Sequence, residues 1–345
     1  MISNIPRGTP FVRAIISAVR AGPNGDAAEV ARNAFGDRVS SVARGIVSAG
    51  SISSGGWGAV LATPEHAEFF AAVQQQSILG KLVGLRTVPL RTRLLTVAAG
   101  MVAYWVGRGA PKPLSKGSLA GSTLPPLKVA GLFAVTQELV RHTSQEAETL
   151  LRNDLVRAIA EELDRSFIDA DNAGVVDEQP ASVTNGVTPI ASTGSPGSDV
   201  AALIEAFTGD LMSAAFVTDP VTAAGIALAR DAGGGFLFPD AGPRGGSILG
   251  IPLVVSRSSP RTTSGGQLAL VDASGIAYGA EGVRIAVSDR ATLAMQDDPE
   301  SPIEQVSLFQ TNTAAILAEA VVNWEVQREG SVAVVSDALY ATGAS

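Results

Sequence analysis

Cysteine is missing from all 345 residues, which excludes disulfides and thiolate metal sites and fits a reducing compartment, the cytoplasm by default. Histidine is scarce. The two present, His66 and His142, stand in no ligand spacing such as HExxH and read as surface or capping groups. No G-x-S-x-G elbow marks a hydrolase nucleophile. Gly233–Gly235 and Gly242–Gly250 are glycine-rich, but no GK[ST] follows and no buried strand leads into a helix there, so they read as turns rather than a phosphate loop. No apolar run approaches the ~18 residues of a membrane span. The nearest N-terminal stretch, Phe11–Val19, is short, with Arg13 and Arg20 in and beside it, so neither a membrane partner nor export is expected. No cofactor or metal is expected from these patterns. Aromatics make up only 5% of a chain that is 46% hydrophobic, so packing rests on alanine, glycine and valine in broad, close contacts. A net charge of −8 and a pI of about 4.9 argue against a surface that grips nucleic acid through its phosphates.

What is present is organised around Thr143–Asn172, a stretch free of proline and glycine. Thr143 and Glu146 have the capping-box spacing of a helix start. Leu151, Leu155, Ile159, Leu163 and Phe167 recur every four residues. That stripe creeps around a helix of 3.6 residues per turn, so different partners must cover its two ends. At ~1.5 Å per residue the helix would be ~45 Å long, a strut rather than a core helix. Its carboxylates Glu161, Glu162, Asp164, Asp169 and Asp171 are interspersed with Arg152, Arg157 and Arg165, which reads as a solvated, salt-paired face.

Before the strut, two weakly amphipathic helical pieces, Thr9–Ala21 and Asp26–Ala34, are followed by the Ser/Gly-rich Ser48–Gly58. This segment carries too little apolar surface to offset its own ordering entropy and reads as an arm. Pro64 opens a helix through Ile78, and Leu82–Leu90 and Leu94–Val106 read as strands. Gly107–Pro126 has no core-facing pattern, and Leu127–Val135 resumes as a strand, so the two strands bracket a long projecting loop. After the strut, Asp177–Ser198 marks a lobe boundary. Helices are expected at Asp199–Ala215 and Pro220–Arg230, and strands near Ile251–Ser256, Gln267–Val271 and Val283–Ser288. The C-terminal strands Val306–Phe309, Ala314–Val326 and Val332–Val335 need partners in the first lobe. Mixed short helices and strands in this order give an α+β class in two lobes.

Four stretches, in this order, resemble the major capsid proteins of tailed bacteriophages, the Hong Kong-type capsid fold. They are Gly55–Pro64 with the helix after it, Ala103–Gly109 with its polar loop, Val135–Val140 ahead of the strut, and Leu249–Val255. The resemblance runs from about Ser54 onward; Arg108 departs from the acidic residue usual near it. It implies an N-terminal arm at 1–55, a first part of a peripheral domain at 56–84 and an extended loop hairpin at 85–135. A spine helix and linker would follow at 136–198, an apical domain at 199–300 and peripheral C-terminal strands at 301–345.

The resemblance further implies a structural subunit, not an enzyme, that assembles with itself as hexamers and pentamers into an icosahedral head shell. The shell would hold double-stranded DNA without sequence-specific binding, in a virion assembled in the host cytoplasm. Portal, scaffold or maturation protease and decoration protein are the further partners implied. Met1–Ser54 looks too short for a long internal scaffold domain, so either a separate scaffold exists or that segment serves in part. Arg108, Lys112 and Lys116 are candidate intersubunit contacts. Some family members join a loop lysine to a neighbour's asparagine beside a glutamate, and Lys112 or Lys116 with Asn312 and Glu319 stand in comparable places. The plainer reading, that Asn312 and Glu319 edge a strand, is favoured. An encapsulin-like compartment with an enzyme cargo is the alternative within this fold; an unrecognised hydrolase is the alternative of another class.

Overall fold

The computed structural model describes residues 9–21, 25–47, 64–99, 118–136, 138, 145–288, 291–295 and 304–340. Its helices are α1 (Thr9–Ala21), α2 (Ala27–Phe35), α3 (Asp37–Val47), α4 (Pro64–Gln76), α5 (Ile78–Lys81), α6 (Gln145–Ile168), α7 (Pro196–Ala206) and α8 (Pro220–Leu228). The strands are β1 (Arg86–Thr87), β2 (Arg93–Ala99), β3 (Ser118–Thr123), β4 (Lys128–Thr136), β5 (Ile190–Ala191), β6 (Ala214–Thr218), β7 (Ala241–Gly242) and β8 (Gly245–Ile248). They continue with β9 (Ile251–Val255), β10 (Arg261–Thr262), β11 (Gly265–Asp272), β12 (Ile276–Ser288), β13 (Thr292–Met295), β14 (Glu304–Ser307), β15 (Thr313–Val326) and β16 (Val332–Ala338). Two units divide the chain. One takes Met1–Gln76, Lys128–Ala160 and Glu281–Val321; the other takes Ser77–Leu127, Glu161–Ala280 and Val322–Ser345.

In the first unit α1, α2 and α3 pack on one another. The Asp26 carboxylate caps α2 by accepting from the Ala28 amide at 2.8 Å, and Gly36 ends it at φ 92, a conformation that costs glycine nothing. Ala14, Ala28, Ala31 and Ala43 are buried with Val12, Ile15, Ile16, Val39 and Val42, so small side chains bring the helices close. The sequence pointed to two helices and a coreless arm. A third helix restarting directly after Gly36 supplies the missing apolar face. In the same unit β4 pairs antiparallel with β15 from Thr136 opposite Thr313 to Lys128 opposite Val321.

In the second unit the strands follow the order β5-β16-β11-β6-β9-β8-β7, with β10 on β11. All positions of β11 and β6 are buried. β6 and β9 run parallel, joined through α8, whose first residue Pro220 follows the cap Asp219. The last stripe residues of α6, Leu163 and Phe167, are buried, and the Phe167 ring meets Trp324 edge-on at 5.4 Å. The Trp324 indole N–H donates to the Ala181 carbonyl at 2.9 Å.

Four expectations change. β16 does not join the first lobe: it pairs with β11 inside the second unit's sheet. The helix expected over Asp199–Ala215 ends at Ala206, and Ala214–Thr218 is a buried strand. A short run that is buried at every position has no period to separate the two states. β2 pairs with β3, not with the strand after the prolines, because Pro125 and Pro126 part β3 from β4. Finally, Ser77 breaks the first long helix by capping α5, its hydroxyl accepting from the Gly80 amide.

Phe167→Ala is expected to destabilise the protein by about 3–5 kcal/mol, since it removes a fully buried ring and leaves Trp324 without its edge-on partner. Equilibrium urea unfolding measures it.

Candidate functional surfaces

Arg108, Lys112, Lys116 and His142 lie outside the described residues, and the side chain of His66, on α4, is not described. Asn312 sits exposed in the turn before β15 at φ 51, and Glu319 lies within β15 opposite Ala130. At ~3.3 Å per strand residue they are ~23 Å apart within one subunit, so the structure does not bring them together. Gly233–Gly235 form the turn expected. The Asp231 carboxylate accepts from the amides of Gly233 and Gly235, both at 2.8 Å, so an acidic side chain fills the place a phosphate would need.

On α6, Asp154 pairs with Arg157 and Glu162 with Arg165, each at 2.6 Å and exposed, as a solvated face requires. Asp164 does not belong to that face. It is buried, its Oδ1 accepts from the Ile78 amide and its Oδ2 from the Ser256 hydroxyl, each at 2.6 Å. Leu163 and Phe167 flank it at helical spacing, so the apolar stripe widens here and takes the carboxylate inward. Burial pushes its pKa up from 3.8 to about 6, against the opposing pull of Ser256, Ile78 and Lys81.

Two more buried carboxylates hold the second unit together, and neither stood out in the sequence. Asp199, in the first turn of α7, accepts from the Ser192 hydroxyl (2.5 Å), the Thr193 amide (2.8 Å) and hydroxyl (2.6 Å), and the Tyr340 hydroxyl (3.0 Å). Asp272, at the end of β11, accepts from the Asp210 and Ser274 amides, the Ser213 and Ser274 hydroxyls and Arg328. Burial alone would raise both pKa values, but these donors outweigh it and leave both below the usual carboxylate range. Among the described residues no cluster of His, Cys, Asp or Glu could hold a metal ion, and no helix is long and apolar enough to cross a membrane.

The described residues of the second unit include two open hollows. One, about 550 Å³, lies among Pro125, Ser182, Trp324, Glu325 and Glu329. The Ser182 hydroxyl there is engaged by Thr184 and the Asn185 amide. The other, about 480 Å³, is an apolar groove along α7 formed by Val200, Ala201, Ile204, Leu237, Phe238 and Leu249. Leu249 and Gly250 form the two-residue turn between β8 and β9, at φ 53 and 80. Such a turn favours Asn-Gly; here the first position is a leucine left 68% exposed.

A family model described as the phage capsid family matches residues 58–337. The chain is 35% identical over 312 residues to the capsid polyprotein of Pseudomonas phage PAJU2, covering 85% of this chain and 47% of that protein. It thus spans about half of that relative's length. It is 26% identical over 288 residues to a protein of Mycobacterium phage D29 named "Probable major capsid protein gp17", covering 74% of this chain and 84% of that one. Solved structures from Gordonia phage Cozz and Mycobacterium phage Ogopogo match with TM-scores of 0.54 at 19% and 20% identity. Each covers 75% of this chain, and 86% and 91% of their own.

Tyr340→Phe keeps the ring and removes one donor from a buried carboxylate, with an expected loss of about 1.5–3 kcal/mol near neutral pH. Depressed carboxylate pKa values give stability that is present above the unfolded value and lost as pH falls through the folded one. The variant should therefore differ most from the parent at pH 6 and less at pH 3, in urea titrations at both.

Proposed function

Since this chain belongs to the phage capsid family, we propose that it is the major subunit of a phage head shell, self-assembling as hexamers and pentamers around packaged double-stranded DNA. The family match across residues 58–337 carries the reading, and the α+β fold is the Hong Kong-type fold of tailed-phage capsids. The subunit's role is structural rather than catalytic. Exposed apolar side chains support self-association: the α7 groove, Leu249, and the solvent-facing Met212, Val176 and Phe309 are costly on a protein that stays alone. Each contact of this size is weak, and many acting together around a closed shell give a stable container. A net charge of −8 suits a wall against which DNA slides. Assembly in the host cytoplasm, with a portal, a scaffold or maturation protease and a decoration protein as further partners, completes the reading. The loop residues Arg108, Lys112 and Lys116 would contact neighbouring subunits, and a crosslink to Asn312 beside Glu319 would need those groups from different subunits.

Electron microscopy of the protein expressed alone and with its neighbouring head genes is expected to show closed shells or tubes. A uniform small particle under both conditions would overturn the reading. Leu249→Asn places at φ 53 a residue that tolerates it, so the subunit's melting temperature should stay level or rise. The same change is expected to cut the yield of shells several-fold in sedimentation, because it removes an exposed apolar contact.

A further inference from the structure

Asp164 differs from Asp199 and Asp272 in how little compensates it. Asp199 and Asp272 each receive at least four hydrogen bonds. Asp164 has one amide and one hydroxyl donor. The charged groups that bear on it are Lys81 of α5, which favours the ionised form, and Glu161 of α6, which opposes it. Lys81 is exposed and its ammonium donates to the Val255 carbonyl at 3.3 Å. The segment after β9 offers the Ser256 hydroxyl, with Arg257 beyond it exposed.

The two partners are also far apart in the chain: Ile78 is the first residue of α5, and Ser256 directly follows β9. Ile78 and Asp164 each lie just after a point where the chain passes into the second unit, which takes up at Ser77 and again at Glu161. One carboxyl group therefore ties two of these starting points to each other and to the end of a central strand, all within that unit.

We propose that Asp164 is a proton-sensitive clasp joining the start of α5 and the end of β9 to α6. Its two hydrogen bonds favour the ionised carboxylate, but the cost of burying that charge exceeds them, so the folded subunit is most stable when the carboxyl group is neutral. Ionised, it is a buried charge with two donors, relieved when water enters or when Lys81 leaves Val255. A carboxyl group that binds its proton more tightly in the folded chain adds stability that is full at acid pH. That stability is lost as pH rises from about 4 through about 6. This is opposite in sign to Asp199 and Asp272, and it works in the single subunit whatever the subunit builds.

The test is the melting temperature of the full-length, unassembled subunit from pH 4 to pH 7.5, beside Asp164→Asn, whose amide copies the neutral group. The parent should lose about 5 °C relative to the variant across that range. Parallel curves would overturn the clasp. Ser256→Ala covers the case in which the Asn variant folds poorly. Losing the hydroxyl that favours ionisation should move the midpoint of the parent's transition to higher pH, and an unmoved midpoint would also overturn it.

Discussion

Strand β11 is buried at every one of its eight positions, and that condition governs the second unit. A strand with no exposed face or edge exists only if both edges are paired and both faces covered. Its edges are taken by β6, earlier in the chain, and by β16, near the C-terminal end. The sheet's centre is therefore closed by β16, a non-local pairing that carries a loop-closure cost. Gly266 near the start of β11 serves the same arrangement. A Cβ there would collide with the Asp219 carboxylate and the Thr222 hydroxyl, so glycine lets the capped end of α8 lie directly on the strand.

Around that apolar centre the polar groups divide by how fully they are answered. Asp272 stands at the end of β11 itself, and its donors come from Asp210, Ser213, Ser274 and Arg328, segments on both sides of it in sequence. Asp199 gathers Ser192, Thr193 and Tyr340, fixing the chain shortly after β16 against the first turn of α7. These two stay charged and act as staples, because their hydrogen bonds replace the water they lost. Asp164 holds comparably distant segments with fewer donors, so burial dominates there and the same residue type responds to protons at a different pH.

How far the sequence revealed this follows from where periodicity is informative. The α6 stripe at Leu155, Ile159, Leu163 and Phe167 and the long β15 were readable, because helical and strand periods persist long enough to be distinguished. β6 was not: five residues all buried, four of them apolar and the fifth Thr218, carry no period. β3, Ser-Leu-Ala-Gly-Ser-Thr, hides its strand under small residues. The third N-terminal helix was masked by Gly36, which ends one helix just before the next begins. Asp164 was misjudged because its neighbours Glu162 and Arg165 do form the exposed pair expected, and charge pattern alone does not show which carboxylate of a run turns inward. The Leu249-Gly250-Ile251-Pro252 stretch was noticed as a resemblance; its physical content is a two-residue turn that puts a leucine outside.

That leucine joins the fold to the proposed role. A side chain held in the left-handed region costs of order 1 kcal/mol, and an exposed one recovers none of it within the subunit. Asparagine or glycine would make the same turn without that cost. The groove beside it leaves Ala201 exposed and Ile204 only partly covered by the core it packs against, although α7 already buries Val200 and Leu203. Stability of one subunit selects against both features. In the proposed shell, burial against another copy would account for both, because the exposed apolar area would be recovered at every repeated contact rather than once.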